Sequence, residues 1–297
     1  MELRLLKYFL AVAREQNISK AAIYLNTTQP NLSRQMQMLE DEIGKPLFTR
    51  NNKRMVLTET GLLLRKRAEE IIDLATKTEL ELKALNQTDI EGQINIGAGE
   101  SVNLDIICKT IKEVKETYPK IIFNLYTNDT NEIAYKLDAG LIDFGVLIEP
   151  YDLEKYNHIL LPKADIWGVL MHKDMELASK DKIRVEDLWD KPLLISRHSN
   201  DFNFITNWLS KNIDELNIVG TYNLIYNASL LVKEKVGYAL TFENLLNITG
   251  TDLVYKRIDP ILTSKLHLAW KKYTVLSRPI EVFLDYFNKN IKKASKL

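Results

Sequence analysis

SKAAIYLNTTQPNLSRQMQMLEDEIGKPLFTRNNKRMVLTETG, residues 19–61, is the stretch that decides the architecture of the amino-terminal part of the chain. Ala21 and Ala22 are small enough to let one helix pack closely on the next. Thr27 and Thr28 form a polar bend, and Pro30 falls in the first turn of a following helix, where proline is tolerated. Within that helix Leu32, Met36, Leu39 and Ile43 recur at spacings of 4, 3 and 4, so one side is buried. The other side presents Gln29, Asn31, Ser33, Arg34 and Gln37, side chains of the kind that read base edges. Gly44-Lys45-Pro46 stops the helix, and residues 47–50 and 54–57 read as two short strands. Asn51-Asn52-Lys53 joins them, because Asn accepts the positive φ of a tight hairpin turn. The pattern predicts a winged helix-turn-helix, with Arg50, Lys53 and Arg54 on the wing where a minor groove or the adjacent phosphates would lie.

Working outward, residues 3–15 place Leu6, Phe9, Leu10 and Ala13 on one helical stripe, which is core. Asn17 or Ser19 can cap the second helix, and Thr27 or Thr28 the third. Downstream, Thr58 opens a long helix to about residue 86. There Leu64, Ala68, Ile71, Ala75, Thr78, Leu82 and Leu85 alternate spacings of 4 and 3, the two-per-heptad positions of a coiled-coil seam. Such a helix is roughly 40 Å long at about 1.5 Å per residue, so pairing with a second subunit is expected, with packing on its own carboxyl-terminal domain as the alternative.

After a polar break at residues 86–92 the pattern alternates. Strands are expected at 93–97, 121–127 and 142–148 and helices at 104–117 and 132–139, which implies a parallel sheet covered on both faces. A second α/β unit follows, with strands near 166–171, 192–196, 218–224 and 237–241 and helices near 202–209 and 229–235. Residues 266–270 lead back toward a last helix at 278–292, so the chain crosses between two lobes twice.

Charge sharpens this division. Lys plus Arg and Asp plus Glu both total 40, a net charge of zero, yet residues 1–57 hold nine basic against five acidic side chains, +4, which leaves −4 for the remainder. A basic head on a mildly acidic body suits a protein that touches phosphates through one end. No run of eighteen apolar residues and no secretory signal is present, so no membrane partner and a cytoplasmic location are expected. Cys108 is the one cysteine, which excludes an internal disulfide, and it reads as a small buried residue on a helix.

The ordered set Ala21-Ala22, Gln29-Pro30, Leu32-Ser33, Leu39-Glu40, Leu47-Phe48, Arg50, Leu57-Thr58 and Gly61 closely resembles the amino-terminal pattern of LysR-type transcriptional regulators. The resemblance implies an α/β chain in three parts. These are a winged helix-turn-helix at 1–58, a linker and dimerisation helix at 59–88, and a two-lobed, periplasmic-binding-protein-like effector domain at 89–297. Lobe 1 would take about 89–162 and 267–297, and lobe 2 about 163–266. It further implies sequence-specific binding of double-stranded DNA through Thr28, Gln29, Pro30, Asn31, Ser33, Arg34, Gln37, Arg50, Lys53 and Arg54. Assembly as a dimer or tetramer and contact with RNA polymerase belong to the same expectation.

In open α/β sheets ligands bind beyond the carboxyl ends of strands, where helix N-termini present free N–H groups. Matching the family pattern places Ser101 and Thr130 at two such helix starts, with capping as the alternative role for each and Asp129 with Glu132 as a capping box. Ser196, Arg197 and Ser199 would face them from the second lobe, and Arg197 could hold the carboxylate or phosphate of an anionic metabolite. No cofactor, metal site or catalytic residue is expected. Gly97-x-Gly99 lacks the third glycine of a dinucleotide loop, no nucleophile elbow or phosphate-binding lysine loop occurs, and His158, His172, His198 and His267 lack metal spacing. The alternative reading is a solute-binding protein whose amino-terminal region is an oligomerisation element.

Overall fold

The computed structural model describes residues 1–51, 54–84, 90–196 and 207–294, without the side chains of Arg50, Asn51, Glu81, Lys83 and Ala84. The chain divides into two compact units, Met1–Asn86 and Gln87–Leu297.

The first unit runs α1 (Leu3–Glu15), α2 (Ile18–Tyr24), α3 (Gln29–Ile43), β1 (Phe48–Asn51), β2 (Arg54–Leu57) and α4 (Glu59–Ala84). Asn17 caps α2, its Oδ1 accepting from the Ser19 and Lys20 N–H groups at 2.9 and 3.0 Å. Thr28 caps α3 through the Asn31 N–H at 3.4 Å, and Thr27 Oγ1 takes the Asn31 side-chain amide at 2.9 Å. Gly44, at φ +74°, ends α3 in the left-handed conformation that glycine adopts without steric cost. Leu6, Phe9, Ala21, Leu32, Met36 and Leu39 are all buried in one core, where the Phe9 and Phe48 rings lie 5.3 Å apart.

Leu47 is the joint of this unit. Its N–H donates to Glu40 Oε1 at 2.7 Å, which also accepts from the Phe48 N–H at 3.2 Å. Its carbonyl accepts from the Thr58 N–H at 2.9 Å, while the Thr58 hydroxyl donates to the Pro46 carbonyl at 2.8 Å and accepts from the Gly61 N–H at 3.0 Å. A Cβ at position 61 would stand 2.2 Å from the Leu47 carbonyl oxygen, so only glycine fits. β1 and β2 pair antiparallel from Phe48↔Leu57 to Asn51↔Arg54. The expected turn residues Asn52 and Lys53 lie outside the described residues.

Along α4, Ala68 is buried in the core and Leu64 and Ile72 pack against it. Farther on, Ile71, Leu74, Leu80 and Leu82 are exposed, Leu82 to 59%. Leu85 of the expected seam falls outside the described residues.

In the second unit the order is β3 (Gly92–Ala98), α5 (Asp105–Thr117), β4 (Ile121–Thr127), α6 (Thr130–Asp138), β5 (Phe144–Ile148), β6 (Tyr156–Leu160) and β7 (Asp165–His172). It continues with β8 (Ile183–Arg184), β9 (Leu193–Ser196), β10 (Ile218–Tyr222), α7 (Ile225–Lys233), β11 (Tyr238–Phe242), β12 (Leu253–Asp259), β13 (Thr263–Ser264), β14 (Leu266–Lys271) and α8 (Arg278–Ala294). One sheet has the order β4-β3-β5-β14-β6, the other β10-β9-β11-β7-β12-β8 with β13 on β7. The chain passes to the second sheet between β6 and β7 and returns between β13 and β14.

The three strands expected to run parallel do so, and further strands make each sheet mixed. β3 pairs parallel with β4 and β5, but β14 runs antiparallel to β5 and β6, and β7 antiparallel to β11, β12 and β13. Parallel neighbours need a crossover helix, whereas β7 and β14 arrive directly from the other sheet after a few residues and enter reversed. β6 and β12 were not expected, and α7 begins at Ile225 rather than at 229. Residues 202–206 of another expected helix lie outside the described residues. Cys108 is exposed on α5 rather than buried, because the inward stripe of that helix is Ile107, Thr110 and Val114.

The close approach at Gly61 makes a prediction. Gly61→Ala should destabilise the amino-terminal unit by about 2 kcal/mol, the cost of forcing atoms into a filled space. Gly44→Ala, with nothing within 4 Å of the added Cβ, should cost only the roughly 1–2 kcal/mol of its left-handed backbone. Thermal unfolding followed by circular dichroism should show the larger loss at position 61.

Candidate nucleic-acid interface and ligand cleft

On α3 the structure keeps Leu32, Met36 and Leu39 inside and leaves Gln29, Pro30, Asn31, Arg34 and Gln37 exposed, with Thr28 exposed before them and Ser33 half-buried. Pro30 occupies the first turn, where its missing N–H costs no helical bond. Gln37 donates to Asp41 Oδ1 at 2.8 Å, one turn along the same helix. Among the described residues Arg34 makes no ion pair, so its guanidinium is available to an outside acceptor. On the wing, Arg54 is exposed opposite Asn51 in the ladder, and the backbone of Arg50 pairs with Met55. Lys53 lies outside the described residues.

In the second unit a cavity of about 330 Å³ opens between the two sheets. Thr130 and Ser196 line it, as their positions at the end of β4 and the end of β9 imply. Ser101 is not among the lining residues. It caps the short 3-10 turn ahead of α5 by accepting from the Asn103 N–H at 2.9 Å, and it hydrogen-bonds Asp165. Thr130 is spared that duty, since Asp129 Oδ1 caps α6 through the Glu132 N–H at 2.9 Å. Arg197 and Ser199 lie outside the described residues.

Glu100, in the stretch 97–101 that follows the first strand, and residues not singled out in the sequence complete the cavity. Glu100 extends from the end of β3 and its Oε2 accepts from the Ile225 N–H at the start of α7, 2.7 Å away across the cleft. Glu149 Oε1 lies 2.9 Å from His267 Nε2, and His267 Nδ1 lies 3.2 Å from His158 Nδ1. A neutral His267 has one donor. Using it on Glu149 leaves Nδ1 to accept from His158. Partial burial and the neighbouring His267 and Lys272 hold His158 below its ordinary range. Trp167, Tyr222 and Phe242 supply aromatic wall, with the Trp167 and Phe242 rings 4.4 Å apart and Tyr222 O–H donating to the Leu240 carbonyl at 2.5 Å. Burial keeps the Tyr222 phenol protonated well above its ordinary range.

Asp165 sits where the chain enters the second sheet and is 2% exposed. The Asn103 side-chain amide donates to its Oδ1 at 2.6 Å, while its Oδ2 has no partner among the described residues. Burial pushes its carboxyl up to about 6, against the opposing pull of the bonds from Ser101 and Asn103. An acid at the head of an otherwise apolar strand was the available signal in the sequence.

Residues 3–62 match the family model for the bacterial regulatory helix-turn-helix protein of the lysR family, and residues 87–292 match that for the LysR substrate binding domain. The chain belongs to the LysR family. The HTH-type transcriptional regulator BsdA of Bacillus subtilis (strain 168) is 28% identical over 296 residues, 97% of this chain and 100% of that one. Among solved structures, the LysR family transcriptional regulator CbnR superposes with a TM-score of 0.75 at 19% identity, over 98% of this chain and 99% of that one. Full-length CbnR complexed with its target DNA gives 0.72 at 19% identity, over 99% and 100%.

This LysR-type transcriptional regulator therefore couples a helix-turn-helix DNA-binding domain to an effector-binding domain, and the solute-binding alternative is set aside by the match over residues 3–62. The family is one of regulators rather than enzymes. Among the described residues no helix is long and apolar enough to cross a membrane.

Asp165 gives the LysR-type chain a pH signature. Its folded value of about 6 lies above the ordinary 3.8, so the native state binds the extra proton in that window. The stabilisation is full below about pH 4 and is lost as pH rises through about 6, by up to about 3 kcal/mol. Asp165→Asn should flatten this segment of the melting-temperature profile of the second unit. An unchanged slope between pH 4 and 7 would contradict the assignment.

Proposed function

We propose that the chain regulates transcription in the cytoplasm of a prokaryote as a homo-oligomer that reads a near-palindromic site in double-stranded DNA. The observation that carries this reading is α3, with a buried apolar side and an exposed polar side opened by Pro30. Gln29, Asn31, Ser33, Arg34 and Gln37 would contact base edges in the major groove, with Thr28 and Pro30 fixing the entry of the helix. Arg50, Lys53 and Arg54 would hold the backbone beside the wing. Ile71, Leu74 and Leu82, exposed on α4, are the surface a second copy would cover, and two such dimers would make a tetramer.

The second unit would take a small effector in its cavity, with Thr130 and Ser196 as contacts and Ser101, Arg197 and Ser199 around them. A change in the angle between the two sheets would then alter how dimers pair, how far the DNA bends and how RNA polymerase engages the promoter.

A gel shift of the purified protein against DNA flanking its own gene tests the reading. A specific complex at moderate salt is expected, and equal retardation of unrelated DNA would oppose it. Arg34→Ala should cost about 1–3 kcal/mol at one base position, whereas Arg54→Ala should weaken all sequences alike. Ile71→Asp combined with Leu82→Asp should convert the oligomer to monomers in sedimentation velocity. A dimer that survives both charges would move the interface elsewhere.

A further inference from the structure

Two helices begin at the cavity, α6 through Thr130 and Asn131 and α7 through Ile225. A free helix N-terminus favours an anion. Here both are already served by carboxylates of the chain itself, Asp129 on α6 and Glu100, from across the cleft, on α7. An anionic guest would therefore approach helix starts whose positive ends are already offset by a carboxylate. It would meet Glu100, Glu149 and Asp152, all of which line the cavity.

Each of these three carboxylates has one oxygen held in place. Glu100 Oε2 is on Ile225, Glu149 Oε1 on His267, and Asp152 Oδ1 on the Glu154 N–H at 2.9 Å. The second oxygen of each makes no hydrogen bond among the described residues. No lysine or arginine is found among the described residues that line the cavity. Three carboxylates facing one space, with no lysine or arginine among its described lining residues, bias its potential negative, and low-dielectric walls sharpen that field.

The walls fit the same guest. Trp167, Tyr222, Phe242 and Tyr151 line the cavity, and aromatic faces carry the negative end of the ring quadrupole. Thr130 is only 5% exposed, lines the same space, and its hydroxyl makes no hydrogen bond among the described residues, so it awaits a polar partner. The volume of about 330 Å³ is that of a small-molecule site.

We propose that this cavity takes a small organic cation, an ammonium group on an apolar or aromatic body. Its positive end would lie among Glu100, Glu149 and Asp152 and its body against Trp167 and Phe242. This inference rests on the reading of the cavity as the effector site. Glu100 has a second part to play, because a cation on its free Oε1 would bear on the same carboxylate whose Oε2 ties the two sides of the cleft together through the Ile225 N–H.

The test is isothermal titration of the full chain at pH 7.5 with phenethylamine and choline, beside 3-phenylpropionate as an anion of matched shape. At least one ammonium probe should bind while 3-phenylpropionate gives no heat at the same concentration. Asp152→Asn, at an exposed position that leaves the fold intact, and Glu100→Gln should each weaken the ammonium probe about tenfold, the scale of a lost charge-assisted hydrogen bond. Binding of the anion alone, abolished by Thr130→Val, would overturn the charge assignment and leave the effector site standing. Binding that ignores Thr130→Val, Glu100→Gln and Asp152→Asn alike would remove the cavity itself as the site. Silence from every probe would also overturn the proposal.

Discussion

The backbone of Leu47 is where the amino-terminal unit is fixed. Its N–H is bound by the carboxylate of Glu40 on α3, and its carbonyl by the N–H of Thr58 at the head of α4. Gly61 then lies so close to that carbonyl that no side chain fits between them. One residue thus sets α3, the wing and α4 against each other. On the proposed reading, the polar face of α3 would need this fixed placement, since a reading helix that shifts by an ångström loses bidentate geometry.

The second unit applies the same physics with opposite charge. Helix starts at the cavity would attract anions, and Asp129 and Glu100 already occupy them. Glu100 follows a strand of the first sheet and Ile225 opens a helix beside the second, so their hydrogen bond ties the two sides of the cleft. Asp165 adds a second tie between the same two halves through Asn103. Burial, with Oδ2 unpartnered among the described residues, makes that tie costly to keep ionised despite the bonds from Ser101 and Asn103. A ligand that alters either contact acts on the angle between the sheets directly, without any longer chain of coupling.

The amino-terminal unit was legible because its signals are local. Pro30 at a helix start, the 4-3-4 run of Leu32, Met36, Leu39 and Ile43, and Gly44 at its end are each decided within a turn or two of backbone. Caps were legible as pairs of candidates, and the structure chose Asn17 and Thr28. The parallel run of β3, β4 and β5 was legible from the strand-helix alternation, but the reversed β7 and β14 were not, because they take their direction from the crossing between sheets rather than from their own residues. The cavity was least legible. Thr130 was reachable from a family pattern and Ser196 from its place after a strand, but Glu100 meets Ile225 across 125 positions of sequence, and no window of sequence brings Glu149, Asp152, Trp167 and Phe242 to one space. Cys108 shows the same limit on a helix, where the buried stripe is settled by what packs beside it.

The proposed regulation requires α3 to enter the grooves of duplex DNA in symmetry-related pairs. Hydroxyl-radical footprinting of the full chain on a regulated promoter measures this most directly. Two protected half-sites, related by a dyad and separated by a whole number of helical turns, about 34 Å each, are predicted, with protection lost on Arg34→Ala. A single protected patch without symmetry, or uniform protection that ignores sequence, would contradict it.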